Sequence, residues 1–176
     1  MKSFRLSRLV AFLIGAILLL VFNEFFLQHL RWFIGGLIVL YGTLGILGLA
    51  LAKVKPIYEG QGFLFYAVEI LLGLTTLCFI ETYSTVCIIW AVWSILRESV
   101  EVEEIVELEL HPALAVVSGL ESVAVIVLSV MLMIEPGEHH AMIHSYLLVV
   151  ELVFAAVIPI VNHRLMPEKK GREELL

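Results

Sequence analysis

Three glutamates lie within long apolar stretches of the sequence, at Glu69, Glu121 and Glu151. An ionised acidic side chain in membrane hydrocarbon costs at least ~2.5 kcal/mol on the insertion scale, so such residues usually face the interior of a helix bundle and mark a function. Each could be protonated and hydrogen-bonded to a neighbouring helix, or could lie on a pathway for protons or a solute. Arg97 could pair with one of them from the inner end.

A second set of titratable residues lies at three short polar corners between apolar stretches. The corners align as LLVFNE, TLCFIET and LMIEPGE, which places Glu24, Glu81 and Glu135 in register. The third corner adds further groups, and the full set is Glu24, Glu81, Glu135, Glu138, His139, His140 and His144. Histidine side chains titrate between about pH 5 and 8 and glutamates lower, so we expect this set to gain positive charge as the pH falls.

The histidines of the third corner have more than one interpretation. His140 and His144 share one helix face at i,i+4 spacing, which can hold a transition metal, but the flanking HExxH pattern is absent. We therefore predict a solvated cluster and no metal site, with pH sensing as the alternative. Cys78 and Cys87 could lie at similar depth, although a disulfide needs Cα atoms within about 7 Å and two apolar cysteines are favoured.

Motifs for catalysis are absent from the sequence. There is no GxSxG, HExxH, Walker-type loop or CxxC, so we predict no catalytic residues, no enzyme activity and no cofactor. The chain also lacks the basic surface that nucleic acid would require.

Composition predicts the elements that hold these groups. The 176 residues are 61% hydrophobic and only 16% charged, with a mean hydropathy of +1.01, which leaves too little polar surface for a soluble domain. The lipid bilayer is the expected partner. Long apolar runs without period-2 alternation predict helices and not a barrel. We place six spans near residues 9–27, 31–52, 61–80, 84–98, 112–134 and 139–163.

The predicted fold is an all-α integral membrane protein of three repeated helical hairpins. They cover residues 9–52, 61–98 and 112–165 within one membrane domain, 1–176. The basic start resembles a secretory signal, but no small-x-small cleavage site follows, so we expect a retained first helix. The second helix is rich in glycine, which predicts close helix packing, with a hinge as the alternative. Glycine on exposed helix faces also favours self-association into a homo-oligomer.

The basic residues predict the orientation in the membrane. Of the basic residues, Arg31 alone lies on the side of the six-span plan that holds the three corners. The positive-inside rule therefore puts both termini in the cytoplasm and the three corners outside. The other side holds Lys2, Arg5, Arg8, Lys53, Lys55, Arg97, Arg164, Lys169, Lys170 and Arg172. The predicted location is therefore a cell membrane, which the chain crosses several times.

Residues 98–111 form a cytoplasmic connector with six of the seventeen acidic residues. Glutamates alternate with apolar residues over most of it, so an extended or interfacial segment is expected rather than an amphipathic helix. A solvated acidic surface is the favoured interpretation. A site for a cation or a basic partner is the alternative, and no spacing here identifies that partner.

Several stretches resemble a known family. They are the Arg5 to Arg8 start, WFIGGLIVLYGTLGIL in the second helix and LLGLTTLCFIETYSTVCIIWAVWSIL in the centre. With the plan of short repeated hairpins, they resemble the HdeD-like acid-resistance membrane proteins over most of the chain. Only the corner at residues 135–137 keeps the proline that the family commonly has. The resemblance implies a bacterial or archaeal inner-membrane protein linked to acid stress, with no catalytic residues established.

Two functions from different classes follow. The first is a membrane protein of the acid-resistance type, which responds to or protects against low external pH through protonation at the outer corners. The second is a small proton or solute transporter or channel that uses the intramembrane glutamates. Transport would require at least two of the three core carboxylates to share one water-filled cavity.

Overall fold

The computed structural model describes residues 2–51, 59–107 and 110–165, and every regular element within those ranges is an α-helix. The all-α prediction is thereby confirmed. The helices are α1 (Lys2–Val21), α2 (Asn23–Gln28), α3 (Leu30–Leu51), α4 (Glu59–Phe79), α5 (Tyr83–Glu107), α6 (Pro112–Ile134) and α7 (Glu138–Leu165). Lys53, Lys55, Glu109, Lys169, Lys170 and Arg172 lie outside the described residues.

Three of the helices are long and apolar enough to cross a membrane. These segments are Leu30–Ala50, Pro112–Ile134 and Glu138–Asn162, and shorter apolar segments occupy Phe12–Val21 and Phe63–Phe79. Large apolar side chains such as Leu44, Leu71 and Leu120 are exposed along these helices. Apolar surface on this scale is unfavourable in water and favourable against lipid tails, so the helices indicate a membrane protein.

One compact unit consists of Glu24–Trp93 and Ser129–Ala141, and its centre is the packing of α3 on α4. Gly35 of α3 lies against Gly73 and Leu77, whereas Gly42 lies against Tyr66 and Ile70. Residue numbers rise along α3 as they fall along α4, so the two helices are antiparallel. Because neither Gly35 nor Gly42 has a Cβ, the backbones approach more closely than larger residues would allow.

The predicted close packing of the glycine-rich helix is confirmed at Gly35, Gly42 and Gly45. Gly36 and Gly48 face open space. The partner helix α4 belongs to the next predicted hairpin, so this contact joins two of the predicted hairpins. In the same unit the Trp90 ring of α5 meets the Phe26 ring of α2 at a centroid distance of 5.7 Å.

The second compact unit contains the described residues of Met1–Asn23, Ser94–Leu128 and Met142–Leu176. Gly15 of α1 lies against Leu152 of α7. Asn23, just after α1, accepts a hydrogen bond from Ser145 of α7. These two contacts make α1 and α7 antiparallel. The backbone N–H of His111, just before α6, donates to Asn162 Oδ1 at 3.0 Å, which ties the start of α6 to the last turns of α7.

Two corners lie where the sequence places them, and one differs. Helix α4 ends at Phe79 and α5 begins at Tyr83, while α6 ends at Ile134 and α7 begins at Glu138. The predicted corner at Asn23-Glu24 is wrong, because those residues start the short helix α2. The regular helix breaks instead at Phe22 and His29.

The predicted extended connector is also wrong over most of its length. Helix α5 continues without interruption to Glu107, so residues 98–107 are helical. Glutamate is a good helix former, and continuing the helix satisfies backbone N–H and C=O groups that an isolated extended segment would leave to water. Alternation of apolar and acidic residues therefore does not indicate extended structure where no neighbouring strand is available to form backbone hydrogen bonds.

Candidate functional site

Glu69 is buried in α4, with only 4% of its surface exposed. The indole N–H of Trp93 in α5 donates to Glu69 Oε1 at 2.9 Å, and Tyr41 of α3 packs edge-on against that indole. The side chain of Glu69 is therefore enclosed by protein, and its location within the membrane stays a prediction. A buried hydrogen bond to a carboxyl group offsets part of the cost of removing that group from water. The geometry holds the carboxyl group in one position between α4 and α5.

Glu121 and Glu151 belong to the other compact unit and are half-buried. Each takes part in a polar interaction, and so does the half-buried Arg97. Glu69 belongs to the first compact unit. The water-filled cavity that two of these three carboxylates would share for transport stays a prediction.

His144 is the clearest departure from the predicted outer-face set. Only 2% of its surface is exposed, and its Nε2 is hydrogen-bonded to Ser94 Oγ of α5 at 3.1 Å. The prediction of a solvated His144 is wrong, because the residue lies almost two turns into α7 and on its buried side. The next residue, Ser145, is also buried and donates its hydroxyl to Asn23 Oδ1 at 2.7 Å.

Glu98 is a buried carboxyl group within the segment predicted to be a solvated connector. It is only 3% exposed and has a polar partner. A signal was available in the spacing of Cys87, Ala91, Ser94 and Glu98, which are all buried and follow the 4-3-4 repeat of a packed helix face. The same spacing relates a set of buried residues in α6: Ser118, Ser122, Val125, Ser129 and Leu132.

Most of the outer-corner set is exposed, as predicted. Exposed members are Glu24, Glu81, Glu135, Glu138 and His139. The side chain of His140 is only 15% exposed, and its Nδ1 lies 3.9 Å from Glu135 Oε2. That distance is attractive only when the imidazole is protonated, so the contact depends on pH. Within the described residues, no three His, Cys, Asp or Glu side chains converge as metal ligands would.

A cleft of about 220 Å³ lies at one end of the first compact unit and is called the Arg31 cleft below. It is lined by Gln28, His29, Leu30, Arg31, Trp32, Glu81, Tyr83 and Val86. Arg31 donates from Nε and Nη2 to the Leu77 carbonyl at 3.1 and 2.6 Å, and its guanidinium carbon lies 5.0 Å from the centre of the Trp32 ring. Burial raises the pKa of Tyr83 to about 12, so its hydroxyl stays protonated at physiological pH.

The two cysteines are free thiols in different surroundings. Cys78 is exposed near the end of α4, whereas Cys87 is buried in α5 beside Tyr83. A buried free cysteine packs as a small apolar side chain.

Comparison with protein-family models, with curated proteins and with solved structures gave no match to this chain. The class is therefore defined by the fold and the buried groups alone. It is a helical membrane protein whose apolar helices enclose hydrogen-bonded polar and titratable side chains.

Proposed function

We propose that this chain is a six-span inner-membrane protein of the acid-resistance type, with both termini in the cytoplasm, that responds to low external pH. Helices α1, α4 and α5 contain 20, 21 and 25 residues. At about 1.5 Å per residue they are at least ~30 Å long, the thickness of the hydrocarbon core. Their lengths support three spans beside the three that apolarity already indicates, and the excess of basic residues on one side supports the orientation.

The observation that carries the proposal is the arrangement of titratable groups at two depths. Glu69 and His144 are almost completely buried, and each is held by a hydrogen bond to a side chain on α5. His140 and Glu135 form a contact at the exposed corner that gains attraction when the histidine is protonated. A fall in external pH would therefore act first at the corner between α6 and α7, where α7 begins.

Acid challenge of a bacterial host tests this proposal. Cells that produce the chain are expected to survive prolonged exposure to about pH 5, where histidine is protonated and glutamate is still ionised, better than cells with an empty vector. The double variant Glu135→Gln/His140→Gln should lose that protection at equal membrane abundance, whereas the neighbouring variant Glu138→Gln should keep it. Equal survival with and without the chain would refute an acid-resistance role.

Transport of protons or a solute is the second candidate, and a specific observation favours it. The unit that contains α1 and α7 buries many polar side chains among apolar helices, and intramembrane polar groups often line ion pathways. The buried polar side chains of this unit are Asn23, Ser94, Glu98, Ser118, Ser122, His144 and Ser145. Proton flux into liposomes that is lost in Glu98→Gln or Glu121→Gln would establish conduction. Flux no greater than that of empty liposomes would remove it.

A further inference from the structure

The Arg31 cleft is a feature that the acid response does not use. It lies where α2 passes into α3, beside the corner between α4 and α5. A guanidinium group and a carboxylate, from Arg31 and Glu81, line the same small cavity. A ligand that carries one negative and one positive group would match both charges, whereas a simple anion or cation would match only one.

Hydrogen-bonding capacity remains available in this cleft. Two N–H groups of Arg31 are used by the Leu77 carbonyl, which leaves three of its five donors for a ligand. The hydroxyl of Tyr83 lines the same cleft beside Cys87, and a hydroxyl can both donate and accept a hydrogen bond.

His29 adds an acceptor. Its Nδ1 lies 3.1 Å from the Phe25 carbonyl, which can only accept, so Nδ1 carries the proton. The neutral ring then presents Nε2 as an acceptor. The cleft thus offers donors for an oxyanion, and a carboxylate and a ring nitrogen that can accept from an ammonium group.

Size and surroundings narrow the ligand further. Pockets for drug-sized molecules measure roughly 300–1,000 Å³, so a cleft of about 220 Å³ suits a smaller group. Trp32 is 60% exposed beside it, and tryptophan at the end of a transmembrane helix commonly lies at the level of lipid head groups.

We propose that the Arg31 cleft binds a small zwitterion, with its oxyanion at Arg31 and Tyr83 and its primary ammonium group at Glu81. Phosphoethanolamine has this chemistry, either as the head group of phosphatidylethanolamine or as a free molecule. The lipid source rests on the proposed membrane location of the chain, and the free source does not. Arg31 also caps the end of α4, and this structural role alone would require no ligand.

Lipid binding to the purified full chain in detergent tests the proposal. Native mass spectrometry would compare phosphatidylethanolamine with phosphatidylglycerol of the same acyl chains, which keeps the phosphate and lacks the ammonium group. We expect roughly tenfold tighter binding of phosphatidylethanolamine, the difference that a charge-assisted hydrogen bond supports. Glu81→Gln should abolish the preference, while Glu24→Gln, at an exposed position of α2 in the same unit, should keep it.

Competition by free phosphoethanolamine identifies the source. Displacement of the lipid by the free molecule would show that the zwitterion alone is recognised, and failure to displace it would assign the site to the lipid. Equal binding of the two lipids would overturn the proposal, as would a preference that survives Glu81→Gln. Because Glu81 is exposed and lies between α4 and α5, its variant tests the site even if Arg31→Gln fails to fold. Lipid binding and acid survival are separate readouts, so failure of one experiment is distinguishable from failure of the other.

Discussion

The packing of α3 on α4 gives a sharp prediction at Gly42. A Cβ at this position would lie 2.7 Å from the backbone oxygen of Tyr66 and 3.1 Å from the backbone nitrogen of Ile70. Neither atom can rotate away as a side chain could. Carbon–oxygen contacts are normally about 3.3 Å or longer, so the helices would have to separate by roughly 0.6 Å at Gly42→Ala.

The matched variant is Gly36→Ala in the same helix, because a Cβ there meets nothing within 4 Å. Both substitutions gain the same helix propensity, about 1 kcal/mol. This term cancels in the comparison, and what remains is the cost of overpacking, about 1–3 kcal/mol. We therefore expect Gly42→Ala to be less stable than Gly36→Ala by that amount.

The difference in the free energy of unfolding is measured on the protein in mild detergent micelles, to which a denaturing detergent is added stepwise. Trp90 and Trp93 are buried in the same unit as the α3–α4 contact, so tryptophan fluorescence reports its loss. Gly73→Ala should behave like Gly42→Ala, since its Cβ would meet the backbone of Gly35 and Val39 at 2.8 Å. Equal stability of Gly42→Ala and Gly36→Ala, within about 0.5 kcal/mol, would refute the close approach, because the overpacking cost is larger than this.

Three further predictions concern polar contacts. Trp93→Phe should lower the free energy of unfolding by about 1–3 kcal/mol, measured as above, because it removes the indole donor from the buried Glu69; an unchanged value would contradict the contact. Ser145→Ala should cost about 0.5–1 kcal/mol through loss of the bond to Asn23, whereas Ser99→Ala at an exposed site should cost little; equal effects would count against a buried pair. Tyr83 has a pKa raised from 10.0 to about 12, so it contributes stability below pH 10 that is lost as the pH rises through 12. In Tyr83→Phe the free energy of unfolding should fall less steeply between pH 10 and 12 than in the unmodified protein. An equal slope in both proteins would contradict the burial of the Tyr83 hydroxyl.

Helix type and two corners could be predicted because they follow from local chemistry. Long apolar runs must satisfy their backbone groups internally, so helices are required wherever the chain enters lipid. The polar corner before Tyr83 and the Pro-Gly corner before Glu138 end those runs clearly. Glu69 could be placed inside because an isolated carboxylate in such a run has nowhere else to go.

The features that could not be predicted share a physical cause, because each depends on which residues become neighbours in the folded chain. Glu98 is followed by further glutamates and so reads as solvated, yet its position one turn after Ser94 puts it on the buried face of α5. His144 is grouped with His140 by spacing, but only the packing against Ser94 shows that it is buried. The pairing of α3 with α4 depends on which glycines meet which backbone atoms, and glycine content alone does not specify the partner.

Hydrogen–deuterium exchange at the corner between α6 and α7 measures whether this corner responds to acid. The full chain in lipid nanodiscs would be compared at about pH 7 and pH 5, across the range in which histidine titrates, with exchange times scaled for intrinsic rates. We expect a change in protection over the first turn of α7 that disappears in Glu135→Gln/His140→Gln and persists in Glu138→Gln. Identical protection at both pH values in the unmodified protein would contradict an acid-responsive corner.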